Sequence, residues 1–149
     1  MTDQQALELL VGYGIVFFIV TFVLGLVGYL LIGFAYLSMT KQLNIPNGWL
    51  AFIPFANVYI QGEVVTEKLN NKGGLIFLLA LIAAIVLGAI PILGIIISIA
   101  FAILGFMVLY WTYNKFSEKA LLMIIFSILS GGILTPIFLF AIRNNPVRG

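Results

Sequence analysis

The chain has 149 residues, of which 63% are hydrophobic and only 8% are charged, and its formal net charge is +2. An ordinary soluble domain carries about 25% charged residues, so this composition excludes a typical water-soluble fold and predicts a protein embedded in the lipid bilayer. The absence of cysteine and histidine excludes disulfides, thiolate or imidazole metal ligands and the commonest general base. The few basic residues are scattered, which does not indicate nucleic-acid binding.

The first apolar segment, residues 9–37, contains no formally charged side chain. About 20 apolar residues in a helix cross a hydrocarbon core of about 30 Å, so this segment predicts a first transmembrane helix. The residues before it include Asp3 and Glu8 but no lysine or arginine. A secretory signal peptide has a basic region at this position, and we therefore expect a retained span rather than a cleaved signal.

A proline-containing turn ends the first segment, and residues 47–68 then mix apolar and polar side chains. Pro54 suits the start of a new helix, where its missing N–H costs nothing. From Phe55 onward, helical periodicity separates an apolar face from a polar face that Ile60 and Val64 interrupt. We therefore predict an interfacial or re-entrant amphipathic helix. The candidate residues for contact with a partner or with lipid are Trp49, Pro54, Asn57, Tyr59, Gln61 and Glu63.

Three further apolar segments follow at residues 75–90, 92–113 and 120–142. Pro91 separates the first two, because a single unbroken helix through it would be too long for one bilayer. Small residues recur at every fourth position in all three segments, which is typical of helices that pack closely in membranes. The predicted packing residues are Ala80, Ala84, Gly88, Gly94, Ser98, Ala102, Ser127, Gly131 and Thr135.

The distribution of lysine and arginine favours one topology, because basic residues stay on the cytoplasmic side. Four spans with the N-terminus outside leave five basic residues inside and two outside, whereas five spans divide them almost evenly. We therefore predict a single all-α domain, a bundle of four transmembrane helices with the N-terminus outside. In one alternative, residues 130–132 and Pro136 break the last segment into a re-entrant pair, and all seven basic residues then lie inside.

Residues 49–59 read Trp-x-Ala-x-Ile-Pro-x-x-Asn-x-Tyr. With Lys41 before this block, and with Pro91, Pro136 and Arg143 after it, the chain resembles a broad group of small, uncharacterised bacterial multi-pass membrane proteins. The resemblance implies helical spans in a bacterial plasma membrane. It implies no activity, cofactor or site residue.

Glu63 and Glu67 are four residues apart on one helix face, a spacing that could serve acid–base chemistry or hold a cation. No third ligand accompanies them, so a solvated helix face is the simpler expectation. The later apolar segments lack interior charges of the kind found in ion and proton pathways. We predict a non-enzymatic accessory, protective or partner-binding module without a cofactor, which binds another membrane protein or a second copy of itself. The alternative is a small oligomeric transporter or channel with residues 47–68 at its mouth.

Overall fold

The fold is all-α, as predicted. The computed structural model describes residues 2–148, and within that range it contains no strand. Its helices are α1 (Asp3–Gln42), α2 (Ala56–Val64), α3 (Gly73–Leu87), α4 (Leu93–Phe116), α5 (Ala120–Leu129) and α6 (Thr135–Ile142). Two short 3-10 helices, Gly48–Phe52 and Thr66–Lys68, lie on either side of α2.

Two helices among the described residues, α1 and α4, are long and apolar enough to span a membrane. Helices α3 and α5 are apolar but shorter, with 15 and 10 residues. At 1.5 Å per residue these lengths are about 22 Å and 15 Å. The predicted bundle of four transmembrane helices is therefore not confirmed.

Helix α1 is packed along only part of its length. Its 40 residues correspond to about 60 Å, and a capping box between Thr2 and Gln5 begins it. Every residue from 7 to 27 is exposed. The buried residues of α1 begin at Gly33 and end at Thr40. Only the C-terminal part of α1 therefore belongs to the core.

The hydrophobic core surrounds that C-terminal part of α1. Tyr36 and Met39 of α1 are buried with Tyr113 and Phe116 of α4, and these four are among the largest fully buried side chains. Every other helix contributes to the same cluster. Its remaining members are Ala35, Ala51, Ile60, Val64, Val65, Phe77, Val108, Ala120, Met123, Ile124, Leu139 and Ile142.

Residues 47–64 form a short hairpin that lies against α1. The hairpin begins at Gly48, which packs on Thr40 near the end of α1. Phe52 lies farther along, where its ring packs on Gly33 and its carbonyl oxygen accepts a hydrogen bond from the Tyr29 hydroxyl at 2.9 Å. The segment thus follows α1 for eleven residues, or about 16 Å. Helix α2 then carries the chain back toward the end of α1.

The predicted apolar and polar faces of α2 are confirmed only in part, because Gly62 and Val65 of the predicted apolar face are buried but other residues are not placed as predicted. Ile60 and Val64, which interrupt the predicted polar face, are also fully buried, whereas Phe55, on the predicted apolar face, is 62% exposed. The physical reason is that α2 is covered by α1 on one side and by α3 on the other. At Gly62 the approach of α3 is so close that a Cβ atom would overlap the carbonyl oxygen of Gly73.

The prediction of one continuous helix over residues 120–142 is also wrong, because the chain reverses between α5 and α6. Gly131 and Gly132 have φ angles of +64° and +90°, a backbone conformation that glycine adopts at little cost. The N–H of Gly132 donates to the Ser127 carbonyl at 2.8 Å, and the N–H of Gly131 donates to the Ile128 carbonyl at 3.0 Å. This pair of bonds is a Schellman motif, which ends α5.

Ser130 completes the reversal. Its Oγ accepts a hydrogen bond from the Leu134 N–H at 3.2 Å, just before α6 begins, and its hydroxyl donates to the Ser127 carbonyl at 3.1 Å. The backbone N–H groups of residues 130–135 therefore all have partners within the turn. Helix α6 then returns toward the end of the bundle where α5 begins, so the two helices form a hairpin.

Candidate functional site

Four segments meet at one end of the bundle, which we call the basic end and define as residues 41–47, 63–72, 114–119 and 143–148. The Gln42 side chain donates to the Arg143 carbonyl at 2.7 Å, and the Asn145 side chain donates to the Phe116 carbonyl at 2.9 Å. These bonds join α1, α4 and the C-terminal tail. All the lysines and arginines of the chain lie in the four segments: Lys41, Lys68, Lys72, Lys115, Lys119, Arg143 and Arg148.

Lys115 joins α4 to the loop between α2 and α3. Its Nζ donates to the Val64 carbonyl at 2.7 Å and contacts both carboxylate oxygens of Glu67, at 2.9 Å and 3.0 Å. The Lys115 side chain is only 14% exposed, whereas that of Glu67 is 47% exposed. The bond to the Val64 carbonyl is therefore the better shielded of the two interactions, and Lys115 serves mainly to hold the helices together.

The C-terminal tail lies over the end of α4. The backbone N–H of Arg148 donates to the Lys115 carbonyl at 2.8 Å, and its guanidinium donates to the Ser117 carbonyl at 3.0 Å and lies 3.6 Å from Glu118. These contacts satisfy carbonyl groups that a helix end leaves without partners. The tail and the loop enclose an open concavity of about 500 Å³, lined by Phe116, Ser117, Glu118, Lys119, Asn145, Pro146 and Arg148.

Glu63 and Glu67 do not form a carboxylate pair. Glu63 accepts a hydrogen bond from the Gly74 N–H at 3.0 Å, at the start of α3, where a negative charge is favourable. Glu67 binds Lys115 instead. Among the described residues no group of three acidic, histidine or cysteine side chains could hold a metal ion.

The six residues predicted to contact a partner or lipid do not form one surface. Trp49 is 57% exposed, and Pro54 is exposed at the turn of the hairpin. The other four lie on α2 and are half-buried: Asn57, Tyr59, Gln61 and Glu63. Only the first two present a large part of their surface to the surroundings.

The predicted packing residues take different roles. Gly88 and Gly94 approach closely in the turn between α3 and α4, where a Cβ atom on Gly94 would overlap the Gly88 carbonyl oxygen. The rings of Phe77 and Phe101 stack at 5.5 Å between the same two helices. Ser127 is buried, whereas the remaining predicted residues are half-buried (Ala80, Ala84 and Thr135) or exposed (Ser98, Ala102 and Gly131).

A groove runs along α1 where its uncovered part meets the tip of the α5–α6 hairpin. Gly28 lies so close to Pro136 that a Cβ atom on the glycine would be 3.4 Å from the proline ring. The groove has a volume of about 550 Å³, and its lining is mainly apolar: Thr21, Leu24, Gly25, Gly28, Tyr29, Ile32, Ile133 and Pro136.

Comparison with protein-family models, curated proteins and solved structures found no match. The resemblance of residues 49–59 to bacterial multi-pass membrane proteins therefore stays a prediction. A functional assignment depends on the geometry of this chain alone.

One buried polar contact was not foreseen in the sequence. The Tyr113 hydroxyl and Ser127 Oγ are 2.9 Å apart in the core, and both residues are at most 1% exposed. This contact fixes the α5–α6 hairpin against α4. The sequence predicts only a small packing residue at Ser127, since nothing in the spacing of 14 residues indicates that the two hydroxyls meet.

Proposed function

We propose that this chain is a non-enzymatic integral membrane protein that binds another membrane-embedded helix through the uncovered part of α1. The supporting observation is that residues 7–27 are exposed on every side, although nearly all of them are apolar. A contiguous apolar surface of this size is unfavourable in water and marks contact with a membrane or a partner. The proposed location is the bacterial plasma membrane, where the protein acts as an accessory or protective module.

The proposed topology has three crossings and two half-depth hairpins. Helices α1 and α4 cross the bilayer, and α3 together with the turn after it crosses in between. The hairpin at residues 47–64 and the α5–α6 hairpin enter from the basic end and return to it. The 10 residues of α5 give about 15 Å, half of a hydrocarbon core of about 30 Å.

Two observations support this topology. All seven basic residues then lie on one side, which agrees with the positive-inside rule, while Asp3 and Glu8 lie at the opposite end of α1. In addition, irregular backbone at membrane depth must have its polar groups satisfied, and the N–H groups of residues 130–135 are bonded within their own turn.

The length of α1 supports a partner helix. Residues 9–37 carry no charge and are about 43 Å long, which exceeds the hydrocarbon core by about 13 Å. A span that is too long tilts, kinks or locally thickens the bilayer, and the cost of this mismatch promotes association between helices. Thr21, Gly25 and Gly28 lie on one side of α1, beside the groove, and small residues allow two helix backbones to approach closely.

Two glycine substitutions test the partner-binding proposal. A Cβ atom meets nothing within 4 Å at either Gly25 or Gly12, so a side chain at either position begins in open space in the isolated fold. Gly25 lines the groove, whereas Gly12 does not and lies 13 residues, or about 20 Å, nearer the N-terminal end of α1. We expect the wild-type chain to elute from a mild detergent as a defined hetero-complex or homo-oligomer, Gly25→Leu to lose that species and Gly12→Leu to keep it. A strictly monomeric wild-type chain would contradict the proposal, as would equal loss in both variants.

Cysteine labelling tests the topology, because the natural chain contains no cysteine. Single variants Asn70→Cys, Asn144→Cys and Ala89→Cys are exposed to a membrane-impermeant maleimide added from one side. We expect Asn144→Cys to label from the same side as Asn70→Cys and from the opposite side to Ala89→Cys. Labelling of Asn144→Cys from the same side as Ala89→Cys would instead support the topology in which residues 120–142 cross the bilayer once.

In the alternative hypothesis, a transporter or channel, Glu63 lies at the mouth of a pore. Its carboxylate instead caps α3, bonded to the Gly74 N–H, which accounts for a negative charge at this position without a transported ion. We therefore expect no ion flux above background from vesicles that contain the wild-type chain. Flux that disappears in Glu63→Gln would favour the alternative.

A further inference from the structure

Positive and negative charge are separated along the bundle. The basic end holds seven lysines and arginines and three carboxylates, Glu63, Glu67 and Glu118, which leaves seven minus three, a net charge of +4. The opposite end of α1 carries Asp3 and Glu8, a net charge of −2. These two values add up to the net charge of +2. The basic end is therefore strongly cationic, although the net charge of the whole chain is small.

The carboxylates of the basic end do not neutralise its exposed lysines. Glu63 accepts a bond from the α3 backbone, Glu67 pairs with Lys115 and Glu118 lies beside Arg148. Within residues 2–148 four lysines take part in no ion pair, and all four are exposed: Lys41, Lys68, Lys72 and Lys119.

The four lysines are spread over the basic end. Lys41 lies in the last turn of α1, Lys68 and Lys72 lie between α2 and α3, and Lys119 precedes α5. Of these, only Lys119 lines the concavity beneath the C-terminal tail. A single small anion therefore has no pocket that gathers the charges, whereas an extended anionic surface contacts all of them.

We infer that the basic end binds the anionic headgroups of phospholipids in the leaflet that it faces. The inference rests on the proposed membrane placement, which puts these lysines level with the headgroups. Trp49, which is 57% exposed and follows directly on Gly48 beside Thr40, fits the aromatic belt of the same interface. Each lysine near an anionic surface strengthens binding about fivefold.

Trp49 also provides the measurement. The chain has two tryptophans, so the full-length Trp111→Phe variant leaves Trp49 as the fluorescent reporter. This variant is reconstituted into phosphatidylcholine vesicles that contain a fixed amount of brominated lipid. In one series the brominated lipid is phosphatidylcholine, and in the other it is the same amount of phosphatidylglycerol. Bromine quenches tryptophan fluorescence at short range, so the ratio of the two quenching curves gives the relative affinity of the two lipids for the surface near Trp49.

We expect phosphatidylglycerol to bind about fivefold more strongly than phosphatidylcholine where one lysine contacts the headgroup. Changing Lys41, Lys68, Lys72 and Lys119 together to glutamine removes the preference, and changing the same four to arginine keeps it. Salt at 1 M, where the screening length is about 3 Å, weakens the preference in the wild-type surface.

The possible failures are distinguishable. Equal quenching by both lipids, or a preference that survives in the glutamine variant, overturns the inference and leaves the membrane placement intact. Absence of quenching by either lipid, in a chain with normal helical circular dichroism, overturns the membrane placement of this end and with it the proposed topology.

Discussion

Lys115→Met should destabilise the fold through the loss of one shielded hydrogen bond. Methionine keeps most of the aliphatic chain but cannot donate to the Val64 carbonyl, which Lys115 reaches at 2.7 Å. A hydrogen bond from a charged group contributes about 1.5–3 kcal/mol. The pair with Glu67 adds at most about 1 kcal/mol, because the Glu67 side chain is 47% exposed. We therefore expect the free energy of unfolding to fall by about 2–3 kcal/mol.

Unfolding is measured by titrating sodium dodecyl sulfate into mixed micelles and following circular dichroism. Glu67→Gln is the matched control, because glutamine still accepts a hydrogen bond from Lys115 but carries no charge. It should lower the free energy of unfolding by less than about 1 kcal/mol, and the double variant should resemble Lys115→Met alone. If Lys115→Met is no more destabilising than Glu67→Gln, the bond to the Val64 carbonyl does not stabilise the fold and the reasoning is refuted.

Three further changes are checked by the same unfolding titration. Gly131→Ala places a Cβ atom on a residue with φ of +64° and should destabilise the α5–α6 turn by about 1–2 kcal/mol. Gly62→Ala forces α2 and α3 apart, because the new Cβ overlaps backbone of α3; overpacking of this kind costs about 1–3 kcal/mol. Gly12→Ala is the control for both, and a loss of stability there would contradict the steric argument. Tyr113→Phe leaves a buried hydroxyl without its partner and should cost about 1–3 kcal/mol, whereas Tyr13→Phe, at a position 72% exposed, should change nothing.

Hydropathy predicted the existence of the helices but not how each one ends. The segment at residues 120–142 is long enough for one crossing, so its length favoured a single span. The reversal depends on two positive φ angles and on the Ser130 side chain, which caps the next helix. Ser130-Gly131-Gly132 made the break visible as an alternative, and the count of basic residues agreed with it, but neither observation excluded a straight helix.

The faces of α2 could be predicted only in part, because helical periodicity assumes that one side of a helix is buried and the other is exposed. Ile60 and Val64 are buried because α1 and α3 enclose α2 from two sides. The contacts of the candidate site could not be predicted either, because they join residues far apart in the chain. Glu63 and Glu67 are four residues apart, yet their partners lie 11 and 48 residues away in the chain, distances that sequence spacing does not encode.

The two hairpins that begin and end at the basic end also bear on how the protein reaches the membrane. In the proposed topology each hairpin enters the bilayer from the cytoplasm and returns, so neither moves a lysine or arginine across it. Among residues 2–148, only the N-terminal end of α1, with Asp3 and Glu8, and the uncharged turn at residues 88–92 must be translocated. In this topology, insertion of residues 2–148 therefore requires the passage of no basic residue across the bilayer.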